Sequence, residues 1–117
     1  MFFCGIDIAK RSHCAVVLDD KGQVVQGAFT INNDHQGFEQ LHDVLSAWPE
    51  SVLVGLEATG HYWLALYESL TASGYPVVVL NPLQIAAYRR SGLRKVKQDT
   101  TDAFWIADFV ESVQYCV

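Results

Sequence analysis

The sequence predicts an α/β fold, a mixed five-stranded sheet flanked by helices. Two observations predict it. Three short apolar runs joined by tight connections open the chain, as in an antiparallel meander. After residue 34, segments with helical spacing alternate with short continuous apolar runs, as in parallel strand–helix units. At 117 residues the chain is read as a single domain, 1–117.

Residues 2–9 (FFCGIDIA) are apolar on both faces apart from one carboxylate, which predicts a central strand. Residues 14–18 (CAVVL) form a second strand. The turn signal Asp19-Asp20-Lys21-Gly22 leads into a third over 23–29, expected at an edge. Asn32-Asn33-Asp34 can cap a helix whose stripe is Phe38, Leu41, Val44, Leu45 and Trp48, stopped by Pro49. Residues 51–56 (SVLVGL) read as a buried strand ending at Glu57. Thr59-Gly60 is expected to open a second helix with Trp63, Leu66, Tyr67 and Leu70 on one face and Gly74 past its end. Residues 76–80 (PVVVL) give the fifth strand, and Asn81-Pro82 starts a short third helix. Asp99 is expected to open the last helix, with Ala103, Ile106, Ala107 and Val110 on its apolar stripe. The order βββ-α-β-α-β-α-α is the one a ribonuclease-H-like fold requires, and the right-handed crossover rule narrows the topology further.

Half the residues are hydrophobic, which excludes a disordered chain, and the formal net charge is −5. That sign alone disfavours a nucleic-acid partner. The distribution speaks differently, because five of the eight basic residues (Arg89, Arg90, Arg94, Lys95 and Lys97) fall within nine positions. Such a run beside an acidic pocket suits phosphate binding; it suits a solvated loop equally well. No apolar run approaches the ~18 residues of a membrane span, and no membrane role is expected. Cys4, Cys14 and Cys116 lack metal-type spacing, and the start lacks a signal peptide, so a reduced, cytoplasmic protein is expected.

Four acids stand out. Asp7 lies inside the most apolar strand, where an unpaired charge is strongly disfavoured. Glu57 ends a buried strand just before a helix, and ligands of open α/β sheets collect at the carboxyl ends of strands. Asp99 and Asp102, three apart, share one helical face, although DxxD at a helix start also serves as a cap. Carboxylates converging on one site raise each other's pKa unless a cation lies between them. Oxygen donors select hard ions such as Mg²⁺ or Mn²⁺, and two such ions can serve phosphoryl transfer.

The segments Gly5-Ile6-Asp7-Ile8-Ala9-Lys10, Leu56-Glu57-Ala58-Thr59-Gly60-His61-Tyr62, Val79-Leu80-Asn81-Pro82 and Lys97-Gln98-Asp99-Thr100-Thr101-Asp102-Ala103 resemble, in order and spacing, the DEDD transposases of bacterial insertion sequences. These are similar to the pilin-gene inverting recombinases and have a RuvC-like amino-terminal domain. The resemblance implies that Asp7, Glu57, Asp99 and Asp102 are a catalytic tetrad holding Mg²⁺ or Mn²⁺ for DNA strand cleavage and exchange. It further implies a carboxyl-terminal transposase domain with a nucleophilic serine, absent here, and in some members a bridging RNA that selects the DNA. A homo-oligomer is expected. Gln98, where threonine is common, and the tail 113–117 depart from the pattern.

Lys10 and Arg11 follow Asp7 closely and suit phosphate contact, although an ordinary exposed turn suits them equally well; the run 89–97 is likewise a candidate phosphate contact. Thr59, Gly60 and His61 begin a helix, where backbone N–H groups favour anions, but capping or simple exposure suits His61 better. Trp105 and Phe109 lie off the stripe of the last helix and are expected to mark a partner or dimer interface. Two other activities fit part of the pattern. A stand-alone RuvC-like nuclease for branched DNA would use the same acids. The opening also looks like the first hairpin of actin-like ATPases and sugar kinases, but Ile8-Ala9-Lys10 replaces the small phosphate-cradling residues those proteins need.

Overall fold

The computed structural model describes residues 1–48, 51–91 and 102–116. β1 (Phe2–Asp7), β2 (Ser12–Leu18) and β3 (Val24–Asn32) form the expected antiparallel meander. The Asp19 carboxylate accepts from Lys21 N and Gln23 N, both at 2.9 Å, and so fixes the β2–β3 turn. β4 (Val52–Glu57) and β5 (Val77–Leu80) join on the other side of β1, each parallel to its neighbour. The sheet order β3-β2-β1-β4-β5 is the mixed five-stranded arrangement the pattern predicts, with β1 at its centre and β3 at an edge.

Strand alternation gives the sheet two apolar faces. Cys4, Ile6, Ala15, Val17, Val54 and Leu56 face α1 (His35–Leu45) and α2 (Leu64–Ala72), which bury Leu41, Leu45, Leu66 and Leu70 against them. Phe3, Val16 and Leu18 face the opposite way, toward α4 (Asp102–Cys116). α3 (Pro82–Ser91) packs beside α4 and adds Ile85 to that core. Asp34 caps α1 as expected, its carboxylate accepting from Gly37 N at 2.8 Å.

Two boundaries and one burial differ from expectation. α2 begins at Leu64 rather than at Thr59-Gly60, because Gly60 takes φ 58°, a left-handed turn conformation that a helix cannot contain. Residues 60–63 form that turn, closed by Trp63 Nε1 donating to Gly60 O at 3.1 Å. Arg89 and Arg90 belong to α3, not to a loop after it. Trp105 is buried within the chain, packed edge-on against Tyr88 and Phe104, because α3 covers the flank of α4 that the periodicity left open. Phe109 is half-covered and meets Tyr88 as well. The pair is thus occupied largely by contacts inside one chain. Among the described residues no helix is long and apolar enough to cross a membrane.

Candidate metal centre

Asp7 and Glu57 end the two parallel strands at the middle of the sheet. Ile6 pairs with Leu56, so the two acids stand side by side one residue further on, and neighbouring strands lie ~4.8 Å apart. Each acid lies two residues after a glycine, and Gly5 is in register with Gly55. A methyl group on Gly5 would run into the backbone of Ala103 and Ala107, and one on Gly55 into the side chain of Val110. α4 therefore rests directly on both glycines. Residues two apart on a strand share a face, so Asp7 and Glu57 face the same side as α4. The helix sits low on the sheet and brings its first residue, Asp102, toward them.

The electrostatics record this convergence. Burial raises the pKa of Asp7, and the Asp102 charge raises it further, while Arg89 opposes both. Glu57 is raised by burial first, then by Asp7 and Asp102, again with Arg89 in opposition. Arg89 reaches the cluster from α3, its Nη2 lying 2.6 Å from Asp102 Oδ1. A cleft of about 280 Å³ opens here, lined by Glu57, Pro82, Ile85, Ala86, Arg89 and Arg90.

The β1–β2 connection, with Lys10 and Arg11 exposed, projects from the same end of the sheet. It is braced from beneath. The buried His13 accepts from Ala9 N through Nδ1 at 3.2 Å, while Asn33 donates through Nδ2 to Lys10 O at 3.1 Å and through its backbone N to Arg11 O at 2.8 Å. Burial lowers the His13 pKa, the Asn33 side chain pulling weakly the other way. The accepting Nδ1 requires the neutral imidazole with its proton on Nε2.

Three of the four acids expected at the site, Asp7, Glu57 and Asp102, are thus drawn to one end of the sheet. Asp99 lies outside the described residues, as do Arg94, Lys95 and Lys97 of the basic run. Arg90 is exposed on α3 and lines the cleft. His61 is exposed and stacks against Tyr62, with centroids 4.3 Å apart. The sequence reading missed the Arg89–Asp102 pair, since nothing local links residues thirteen apart across a helix boundary. It also missed the role of the glycines, although the repeated pattern Gly5-Ile6-Asp7 and Gly55-Leu56-Glu57 was there to be read.

The donor set suits a hard divalent cation, being all oxygen and carrying more negative charge than Arg89 offsets. Among the described residues no three candidate ligands converge tightly enough to hold an ion as they stand. Water and phosphate oxygens commonly complete such sites.

Comparison with known proteins places the chain in a family. Residues 4–115 match the DEDD transposase family of IS110 type, described as a transposase. The chain is 34% identical over 115 residues to a mini-circle putative transposase for IS117 from Streptomyces coelicolor, covering 94% of this chain and 27% of that protein. It is 33% identical over 110 residues to a pilin gene-inverting protein of Moraxella lacunata, covering 92% of this chain and 33% of that one. It therefore spans about a quarter to a third of the length of these relatives. In structure it is similar to Thermus thermophilus RuvC solved with a Holliday junction substrate, with a TM-score of 0.65 at 17% identity over 98% of this chain and 96% of that one. The fold is accordingly ribonuclease-H-like, of the RuvC type, and the chain belongs to the DEDD transposase family of IS110 type.

Proposed function

We propose that the chain is the metal-binding catalytic domain of a DNA transposase or recombinase that cleaves and exchanges strands. The observation that carries this reading is the pairing of Asp7 with Glu57 at the ends of adjacent parallel strands, with Asp102 lowered onto them by α4. Family membership supports the same reading.

In this account Asp7, Glu57 and Asp102, together with Asp99, hold Mg²⁺ or Mn²⁺. When bound, the cation supplies charge neutralisation and Lewis acidity for phosphoryl transfer at DNA. The chain's own residues do the rest. Asp7 and Glu57 are held half-buried with the exposed Asp102 beside them, because both strands and α4 are locked to one another through Gly5 and Gly55. Lys10, Arg11 and Arg90 present positive charge around the acids and hold the phosphate backbone; Arg94, Lys95 and Lys97 extend that contact. Complete strand exchange belongs to a longer polypeptide, with a carboxyl-terminal domain supplying a nucleophilic serine, a bridging RNA choosing the DNA, and copies of the enzyme assembling on it.

The test is duplex DNA binding by fluorescence anisotropy, with and without Ca²⁺, which fills oxygen sites without supporting cleavage. Wild-type chain is expected to bind more tightly with the cation, and the double variant Asp7→Asn, Glu57→Gln to lose that cation dependence. Cation-independent affinity, or an unaltered dependence in the variant, contradicts the proposal.

A further inference from the structure

Arg89 is delivered to the acids by a rigid support. Its neighbour Tyr88 donates to the buried Asp108 at 2.6 Å and lies 2.9 Å from Ser112 Oγ. The Tyr88 ring also packs edge-on against Trp105 and Phe109, with centroids 6.2 and 5.2 Å away. These contacts fasten α3 to α4 and set the guanidinium against the first residue of α4, at 2.6 Å from Asp102 Oδ1. The hold is one-sided, however. Arg89 Nε is buried and has no hydrogen-bond partner among the described residues. An arginine is always charged and presents a planar fork suited to carboxylate or phosphate.

Asp102 is also the one described acid of the three whose carboxylate is engaged by a cationic side chain. It is tied to Arg89, and no three candidate ligands among the described residues converge as they stand. From these observations we infer that Arg89 is an internal counter-ion of the metal centre, which holds Asp102 in the metal-free chain and yields it when a divalent cation binds. This inference rests on the metal site proposed above. The released guanidinium remains in the cleft beside Glu57 and Arg90, where a DNA phosphate is the natural acceptor. One fixed positive charge thereby keeps the acids compatible in the empty site, and the same charge then serves as a phosphate ligand.

The experiment is Mn²⁺ titration calorimetry on the wild-type chain, Arg89→Met and Arg90→Met. Methionine keeps an apolar stem, and Arg90→Met removes the same charge one residue away without touching the pair. Arg89→Met is expected to bind Mn²⁺ about two- to fivefold more tightly, the size a half-exposed ion pair can contribute. Arg90→Met is expected to gain much less. Unchanged or weaker Mn²⁺ affinity in Arg89→Met overturns the counter-ion role, as does an equal gain in both variants. Absence of Mn²⁺ binding in all three proteins overturns the metal site itself, and the counter-ion role with it.

Discussion

Asp7 and Glu57 hold their protons more tightly than isolated carboxyls do, first through burial, then through the Asp102 charge on Asp7 and the Asp7 and Asp102 charges on Glu57, with Arg89 opposing in both. The folded chain therefore binds more protons than the unfolded chain from about pH 4 upward. The contribution of these two acids to stability is fully present where both are protonated and is lost as pH rises through the raised values. Asp7→Asn removes one charge and keeps the shape, so it is expected to raise the metal-free melting temperature at pH 7 by about 2–4 °C, the effect of ~0.5 kcal/mol in a domain this size. The gain is modest because the site retains water. The same substitution should flatten the fall in stability that sets in as pH rises above about 4, which melting curves at successive pH values will show. A lower melting temperature for Asp7→Asn would mean that the carboxylate is a structural acceptor instead. Both acids were legible in the sequence because a charge in an apolar strand is conspicuous. Asp102 was ambiguous, since an acid in the first turn of a helix also complements the dipole. Its ion pair settles which group it meets.

At the scale of elements, the contact between α4 and the sheet governs the site. Gly5 and Gly55 admit the helix so closely that neither position has room for a Cβ. Gly5→Ala is expected to cost about 2–3 kcal/mol, an overpacking penalty, or on the order of 10 °C in melting temperature. The clash is with backbone, which cannot turn aside as a side chain can. A near-neutral Gly5→Ala would show that α4 can ride higher, and that Asp102 is not fixed by this contact. Strands and stripes were readable because hydrophobic period distinguishes them; Leu41, Leu45, Leu66 and Leu70 are buried as that period requires. The start of α2 was not, since Thr59-Gly60 serves a cap or a turn and only the φ of Gly60 decides. Trp105 shows a further limit: a helix flanked by another helix buries residues that its own stripe does not include.

Over the whole molecule, the two halves of the sheet have different tasks. The antiparallel meander carries Asp7 and the braced connection with Lys10 and Arg11, while the parallel half carries Glu57 and the helix that delivers Arg89. The site lies where these halves meet, between β1 and β4, which is where an α/β sheet is open to ligands. Fold class and sheet composition followed from element order alone. The coupling of α3 to the acids did not, because it depends on long-range contacts through Tyr88 and Asp108.

The central claim is that Asp7 belongs to a divalent-cation site, and the most direct measurement is the melting temperature with and without Mn²⁺ beside an Asp7→Asn control. A cation that binds only the folded chain at ten times its dissociation constant adds ~1.4 kcal/mol, or several degrees. That rise is expected in the wild type and its loss in Asp7→Asn. No rise in the wild type, or an equal rise in both proteins, would contradict it.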